Sequence, residues 1–388
     1  MPGAPADPRR ELLLELYRAA LEAVDGRRRV RASLAAGARD GPVHLLAVGK
    51  AAPAMALGAL DALGAAVSRG LVIAAEAAPR ELAGDARFVC LTGGHPLPDE
   101  RSLAAGEAML EFAAATPAGA RVLLLVSGGA SALAEVPAPG IALATLRDAT
   151  AQALAAGTDI AALNARRRAL SAIKGGELVT RFRACTVEGL LISDVPHDDP
   201  AVAASGLLDS PECRVSVVAS LADALAAAWR AARAQGLTAA LWPKRLDGGA
   251  EEAARRLCQE LSAMPESLLV AGGETVVRLP ARPGRGGRCQ HLALAAAQLI
   301  AGHADCLLLA AGTDGRDGAS EDAGAIVDGE TLARIEDAGF DAAAGLAAAD
   351  SGTLLEAAGE LVYTGTTGTN VGDIVLALRQ APAADRAM

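Results

Sequence analysis

Lys50, Lys174 and Lys244 are the 3 lysines among 36 Lys and Arg residues, so nearly every cation in this chain is an arginine. A compact ammonium on a flexible stem does what a planar guanidinium cannot. Lys50 closes the stretch "HLLAVGK", directly after an apolar run and a glycine. Lys174, in "AIKGGEL", shares the argument more weakly, and chance at one of three positions is the alternative for either.

Around these lysines the chain carries loops suited to anions. "SGGASA", Ser127 to Ala132, offers backbone N–H groups at Gly128 and Gly129 and hydroxyls at Ser127 and Ser131, a cradle for phosphate or carboxylate at a helix start. An ordinary glycine turn capped by Ser131 reads as well from this loop alone. "ISDVPHDDP" places Asp194, Asp198 and Asp199 past an apolar run, where carboxylates hold Mg²⁺ through water or accept a substrate proton. Asp198 and Asp199 also suit a solvated acidic turn, whereas Asp194 abuts the run. "GGET" supplies Glu274; "GRGGRCQH" puts Arg285 and Arg288 on a glycine loop at the start of a helix, a geometry for clamping polyphosphate. "AGTDGRDG" adds Asp314 and Asp317, and "TGTTGTNVGD", Thr364 to Asp373, reads as a hydroxyl-rich turn before a final helix. His95, in "TGGHPLPDE", reads as a turn-stabilising residue, with a ligand contact as the alternative.

Other chemistries lack their residues. The lysine of "VGKAA" is followed by Ala and has His44 where a Walker A loop needs glycine. No strand runs into G-x-G-x-x-G, since Cys289 replaces the last glycine of "GRGGRC". No G-x-S-x-G elbow appears, and the histidines form no cluster for a metal.

These loops need elements to hold them. Leu12, Leu13, Leu16 and Leu21 recur at helical spacing, which predicts an amphipathic helix over 9–25. Apolar runs at 44–48, 70–75, 87–91, 121–126, 189–193, 267–271 and 305–311 alternate with Ala-rich helical segments. Continuous rather than alternating hydrophobicity implies strands covered on both faces, as in a mostly parallel sheet between helices. Five of the runs end in glycine- or acid-bearing loops, and ligands of open α/β sheets bind at such strand ends. The 388 residues suffice for two lobes, with the passage between them over 236–266.

A net charge of −10 argues against a nucleic-acid partner, while a local basic pocket still suits small anions. Six scattered cysteines without a CxxC pair read as reduced thiols. With no basic leader and no apolar run long enough to span a bilayer, the chain is expected to be soluble and cytoplasmic, without membrane partners. From the residues alone, the chemistry is handling of a phosphorylated or anionic small molecule between two lobes, with Lys50, Arg288 and several acids converging.

"AVGKAAPAMA", "TGGHPLPDERSLAAGEAML", "LLLVSGGASAL", "LNARRRALSAIKGGELV", "LLISDVPHDDPAVAASG", "GGETVVRL", "GRGGRCQHLALAAA", "GTDGRDG" and "TGTTGTNVGD", in this order, resemble the glycerate 2-kinase family from about residue 10 to 380. The resemblance implies an α/β fold of two lobes. Residues 1–245 would form a Rossmann-like α/β/α domain with a mostly parallel sheet, and 246–388 a smaller MOFRL-type α/β domain, with the active site in the cleft between them. It implies transfer of the γ-phosphoryl group of ATP, with Mg²⁺, to the 2-hydroxyl of D-glycerate, giving 2-phosphoglycerate; a homodimer is compatible with it.

Under that resemblance Lys50 stabilises transferring charge, Arg288 clamps phosphate or carboxylate, and Asp194 is a base or metal-side acid, with Asp199 beside it for the metal. Ser127, Gly128, Gly129 and Ser131 cradle an anion. Lys174, Glu274, Thr313, Asp314, Thr369 and Asn370 complete the nucleotide side. The chain departs from the family at Cys289 and His291, where Asn and Glu are usual, at His197, where Gly is usual, and at Ala169, where His is common. A hydroxypyruvate reductase and a non-catalytic small-molecule sensor are the alternatives, the first weakened by the missing dinucleotide fingerprint.

Overall fold

The computed structural model describes residues 7–35, 41–155 and 160–380. Two compact units divide the chain: Val24–Ser220 with Gly368–Val371, and Met1–Ala23 with Leu221–Thr367 and Gly372–Met388. The division expected from sequence, at 245/246, is contiguous; this one is not. Leu13, Leu16, Tyr17 and Ala20 of helix Pro8–Ala23 are buried, the helix packs on helix Leu221–Ala234, and the Tyr17 hydroxyl donates to the Gly312 carbonyl at 2.6 Å. The amino-terminal helix thus completes the carboxy-terminal core. It stops short of residue 25 because Asp25 begins a second helix, Gly26–Ala35, accepting the Arg28 N–H at 2.7 Å.

The first unit holds a sheet of six strands, β1 (Val43–Val48), β2 (Val67–Ala74), β3 (Phe88–Thr92), β4 (Arg121–Val126), β5 (Thr186–Ile192) and β6 (Cys213–Ala219), in the order β3-β2-β1-β4-β5-β6. Every pairing is parallel, as the unbroken apolar runs predicted. Helices cover it, and Leu46, Val48, Leu124, Val126 and Leu191 meet Met109, Phe112 and Phe182 in one core.

The second unit holds β7 (Ala239–Leu241), β8 (Leu268–Gly273), β9 (Cys306–Gly312), β10 (Gly324–Asp328), β11 (Leu361–Val362) and β12 (Asp373–Arg379), in the order β11-β10-β9-β12-β8-β7. Here only β7 and β8 run parallel; the other pairings are antiparallel. Continuous hydrophobicity still holds because both faces are covered. Leu269, Ala271, Leu308, Ala310, Val375 and Ala377 alternate along their strands into one core with helices Ala250–Ala263 and Arg288–Leu299, while helices Pro8–Ala23 and Leu221–Ala234 also lie against these strands. Burial on two faces, not strand direction, writes an unbroken apolar run. The same fact corrects the expected final helix: "DIVLALR" is the strand β12, buried between β8 and β9. The segment 236–266, expected as a passage, contributes β7 and a helix to this unit. Among the described residues no helix is long and apolar enough to cross a membrane.

Candidate active site

In the first sheet the order of assembly reverses between β1 and β4, and open α/β sheets bind ligands outside the carboxyl ends of strands at such a switch. Gly49 and Lys50 follow β1, Ser127, Gly128 and Gly129 follow β4, and Asp194 follows β5. Topology therefore gathers three of the predicted loops. The Ser127 N–H donates to the Val48 carbonyl at 3.1 Å, the Lys50 N–H to the Gly128 carbonyl at 2.9 Å, and the Ala51 N–H to Ser127 Oγ at 3.0 Å.

Gly128 has no space for a side chain: a Cβ there would stand 2.0 Å from Asp194 Oδ2 and 2.0 Å from Asn370 Nδ2. Asn370 Nδ2 donates to Asp194 Oδ2 at 3.2 Å, so a carboxylate and a carboxamide rest on bare backbone. Gly129 is left-handed, with φ 85°, and a Cβ on it would meet Lys50 Cγ at 3.2 Å and His95 Cδ2 at 3.3 Å. The lysine stem and the imidazole thus flank the glycine turn. A lysine stem, a carboxylate, a carboxamide and close-approach backbone on neighbouring loops suit the handling of a phosphoryl or carboxylate group.

Ser131 does not cap its helix, Ala130–Leu133, which has no side-chain cap bond. Its Oγ lies 2.8 Å from Ser205 Oγ, which donates to Asn164 Oδ1 at 2.9 Å, and Asn164 Nδ2 donates to the Val202 carbonyl at 2.9 Å. The loop after β5 carries non-glycine residues in the left-handed region: His197 (φ 61°), Asp198 (φ 53°), Ala204 (φ 50°) and Ser205 (φ 57°). A glycine at 197 would adopt that backbone without strain. Asp199 is exposed and accepts the Ala201 N–H at 2.9 Å, closing its own turn.

Lys174 is elsewhere. It is buried and paired with Glu135, which also accepts from Ser171 Oγ. Burial pulls the Lys174 ammonium below the usual lysine range against the opposing pull of Glu135. Thr369 is buried beside Asn370 in the chain.

In the second unit Arg288 opens helix Arg288–Leu299, its Nε 2.5 Å from Asp373 Oδ2 and one terminal nitrogen 2.5 Å from the half-exposed Glu274 Oε1. The helix-start N–H groups of Cys289 and Gln290 donate at 3.0 and 2.7 Å to the two oxygens of the buried Asp317. Asp317, not an outside anion, caps this helix. Arg285 points away, bonded to Glu356 at 2.7 Å and to the Gly352 carbonyl at 2.9 Å. Thr313 is buried, with Oγ1 donating to the Gly372 carbonyl at 2.6 Å, and Asp314 Oδ1 accepts the Arg316 N–H at 3.1 Å.

Burial raises the Asp317 carboxyl to about 7, with neighbouring Asp373 adding to the rise while the two backbone donors and Arg288 oppose it. A carboxyl whose folded pKa exceeds its unfolded value favours folding when protonated, so its contribution is fully present below about 4 and is lost as pH rises toward 7. Asp373, also raised by burial, acts in the same direction. Denaturant midpoints are therefore expected to fall between pH 5 and 7.5. Asp317→Ala should flatten that slope and cost about 1–2 kcal/mol at pH 5 by uncapping two buried N–H groups.

Asp373 and Glu135 were not singled out in the sequence. Asp373 stands at the head of an apolar run that reads as a helix, and Glu135 shows nothing locally; only the fold brings them to Arg288 and Lys174.

Residues 12–233 match the family described as a domain of unknown function, DUF4147, and 267–373 the MOFRL family. The chain is 32% identical to a D-glycerate 2-kinase of Thermotoga maritima, over 95% of this chain and 98% of that protein. It is 34% identical to a putative hydroxypyruvate reductase of Agrobacterium vitis, over 94% and 93%. A crystal structure of glycerate kinase from Thermotoga maritima superposes with a TM-score of 0.80 at 32% identity, covering 95% of this chain and 99% of that one.

Proposed function

Because the chain belongs to the glycerate kinase family, built from DUF4147 and MOFRL domains, we propose that it transfers the γ-phosphoryl group of ATP to the 2-hydroxyl of D-glycerate. The observation that carries the reading is the seam at Gly128, where Asp194 and Asn370 press on backbone too close for any side chain, next to the turn that seats the Lys50 stem. A nucleotide phosphate needs such a bare approach together with a cation.

In this reading the 2-hydroxyl oxygen of glycerate forms a bond to the γ-phosphorus, and the bond from that phosphorus to the bridging oxygen breaks, its electron pair leaving with ADP. Asp194 takes the hydroxyl proton. Lys50 follows the charge of the moving phosphoryl group, and the Ser127–Gly129 turn holds phosphate oxygens by its backbone. Arg288 keeps Asp373 through Nε and Nη2, and the contact of Nη2 with the half-exposed Glu274 gives way to an anion. Among the described residues no three His, Cys, Asp or Glu side chains are grouped to cage a metal, but Mg²⁺ carried by phosphates needs only one or two protein carboxylates. Asp194, and Asp199 from its exposed turn, would hold it through water. When bound, Mg²⁺ neutralises charge on the β- and γ-phosphates.

Phosphorus NMR of the purified protein with ATP, Mg²⁺ and D-glycerate is expected to show 2-phosphoglycerate and ADP. Only 3-phosphoglycerate would overturn the placement of the hydroxyl. No transfer, combined with loss of NADH absorbance on adding hydroxypyruvate, would replace the kinase by the reductase named in the Agrobacterium relative.

A further inference from the structure

The chain on either side of Gly368–Val371 belongs to the second unit, yet these four residues belong to the first. Local contacts seat them there. The Gly26 N–H donates to the Gly368 carbonyl at 3.2 Å, and a Cβ on Gly26 would stand 2.8 Å from that oxygen. Gly368 is left-handed, with φ 75°, and a Cβ on it would meet Ala54 of helix Ala52–Leu63 at 3.0 Å. Thr369 and Val371 are 1% and 0% exposed, so the residues on both sides of Asn370 are pinned.

This seating holds the Asn370 carboxamide on Asp194. Nδ2 donates to Asp194 Oδ2 at 3.2 Å, and both atoms lie 2.0 Å from where a Cβ on Gly128 would stand, so the backbone after β4 floors the pair. A carboxylate that takes a proton from a substrate hydroxyl must present an oxygen in a fixed direction, because a small misplacement of the base costs rate steeply. A carboxamide suits that task. It donates without carrying charge, so it fixes the carboxylate without drawing a phosphate to itself, and it lowers the basicity of Asp194 less than a lysine or arginine would.

The region matched by the first family, 12–233, ends long before Asn370, which comes from the close of the region matched by the second, 267–373. We infer that Asn370 is a positioning residue that orients the Asp194 carboxylate toward the hydroxyl of the acid, and that the site of the parallel sheet is complete only with this segment from the carboxy-terminal part of the chain. The inference rests on the reading of Asp194 as the base. It differs from the nucleotide contact expected of Asn370 from the sequence.

The test is the titration of Asp194 by NMR in the full-length protein labelled with ¹³C at the aspartate carboxyls, the resonance being identified by its absence from Asp194→Asn. Wild type is compared with Asn370→Ala and with the near-isosteric Asn370→Asp, and thermal melting checks that each folds. Lys50 and His95 at the Gly129 turn, Asp25 beside Gly368, and Asp198 and Asp199 in the loop of Asp194 are common to all three proteins, so a difference among them reports residue 370. Loss of one neutral donor favours the protonated carboxyl, so Asp194 is expected to titrate about 0.5–1 pH higher in Asn370→Ala, and higher still in Asn370→Asp, where two carboxylates share the seam. With ATP and D-glycerate, kcat of Asn370→Ala should fall about 10- to 100-fold while KM for ATP stays within about twofold, and the acid limb of its pH profile should move up with the titration. An unchanged Asp194 titration in the folded variants, a raised KM for ATP at wild-type kcat, or failure of both variants to fold would each overturn the inference; the second would return Asn370 to the nucleotide and the third would make it structural. The two readings fail separately: a shifted titration in a protein that does not phosphorylate D-glycerate keeps the positioning and removes the kinase, and turnover with an unshifted titration does the reverse.

Discussion

Lys50→Ala is expected to lower kcat by about 10²- to 10³-fold, the loss typical of removing one group that stabilises transition-state charge. The structure separates that loss from a folding defect. Lys50 contributes to the fold through its backbone, whose N–H donates to the Gly128 carbonyl at 2.9 Å, and truncation to alanine leaves this bond in place. The aliphatic stem beside Gly129 is lost from packing. The melting temperature should therefore move by no more than a few degrees, as for a partly exposed side chain. If Lys50 binds ground and transition states equally, KM for ATP rises and kcat holds; if it follows the moving charge, kcat and kcat/KM fall together. Lys50→Arg sharpens the distinction. It retains the charge but sets a planar fork beside the Gly129 turn and the His95 ring, so it should recover binding better than turnover. Near-normal kcat in folded Lys50→Ala would remove this residue from the chemistry.

That two lysines of one chain stand in opposite settings, one on a strand-end loop and one buried against Glu135, marks how far the sequence could be read. The placement of Lys50 is legible because it depends on its neighbours in sequence: an apolar run, a glycine, then the cation, which sets it at the carboxyl end of a strand in a parallel sheet. The loops after β4 and β5 are legible for the same reason, and their side-by-side placement follows from the strand order. What escapes is whatever depends on distant pairing. Arg285 and Arg288 look alike on one glycine loop, but Asp373 and Glu274 claim one, and Glu356 and Gly352 the other. The start of their helix looks like an anion site until Asp317, from a loop 28 residues on, fills it. Strand direction escapes too, since burial of both faces erases the alternation that would mark the antiparallel pairs of β8, β9 and β12.

Lys174→Met is expected to destabilise the protein by about 3–5 kcal/mol, because it strands the buried Glu135 carboxylate without its cation. Lys174 and Glu135 side chains are 1% and 2% exposed, so water cannot take over the solvation that each gives the other. Ser171 Oγ remains as one donor to Glu135, and Arg167 as a nearby positive charge, which set the loss toward the lower end of that range. The double variant Lys174→Met/Glu135→Leu removes both charges together, and buried ion pairs replaced by apolar residues of similar size are often neutral or better. It should regain most of the stability, and a double-mutant cycle in urea measures the coupling directly. Activity then divides the two roles open to this lysine. If Lys174 is structural, the folded double variant turns over at close to the wild-type rate once its own melting is allowed for. If the ammonium reaches nucleotide during the reaction, stability returns in the double variant and kcat does not. The burial and the committed pair favour the first outcome.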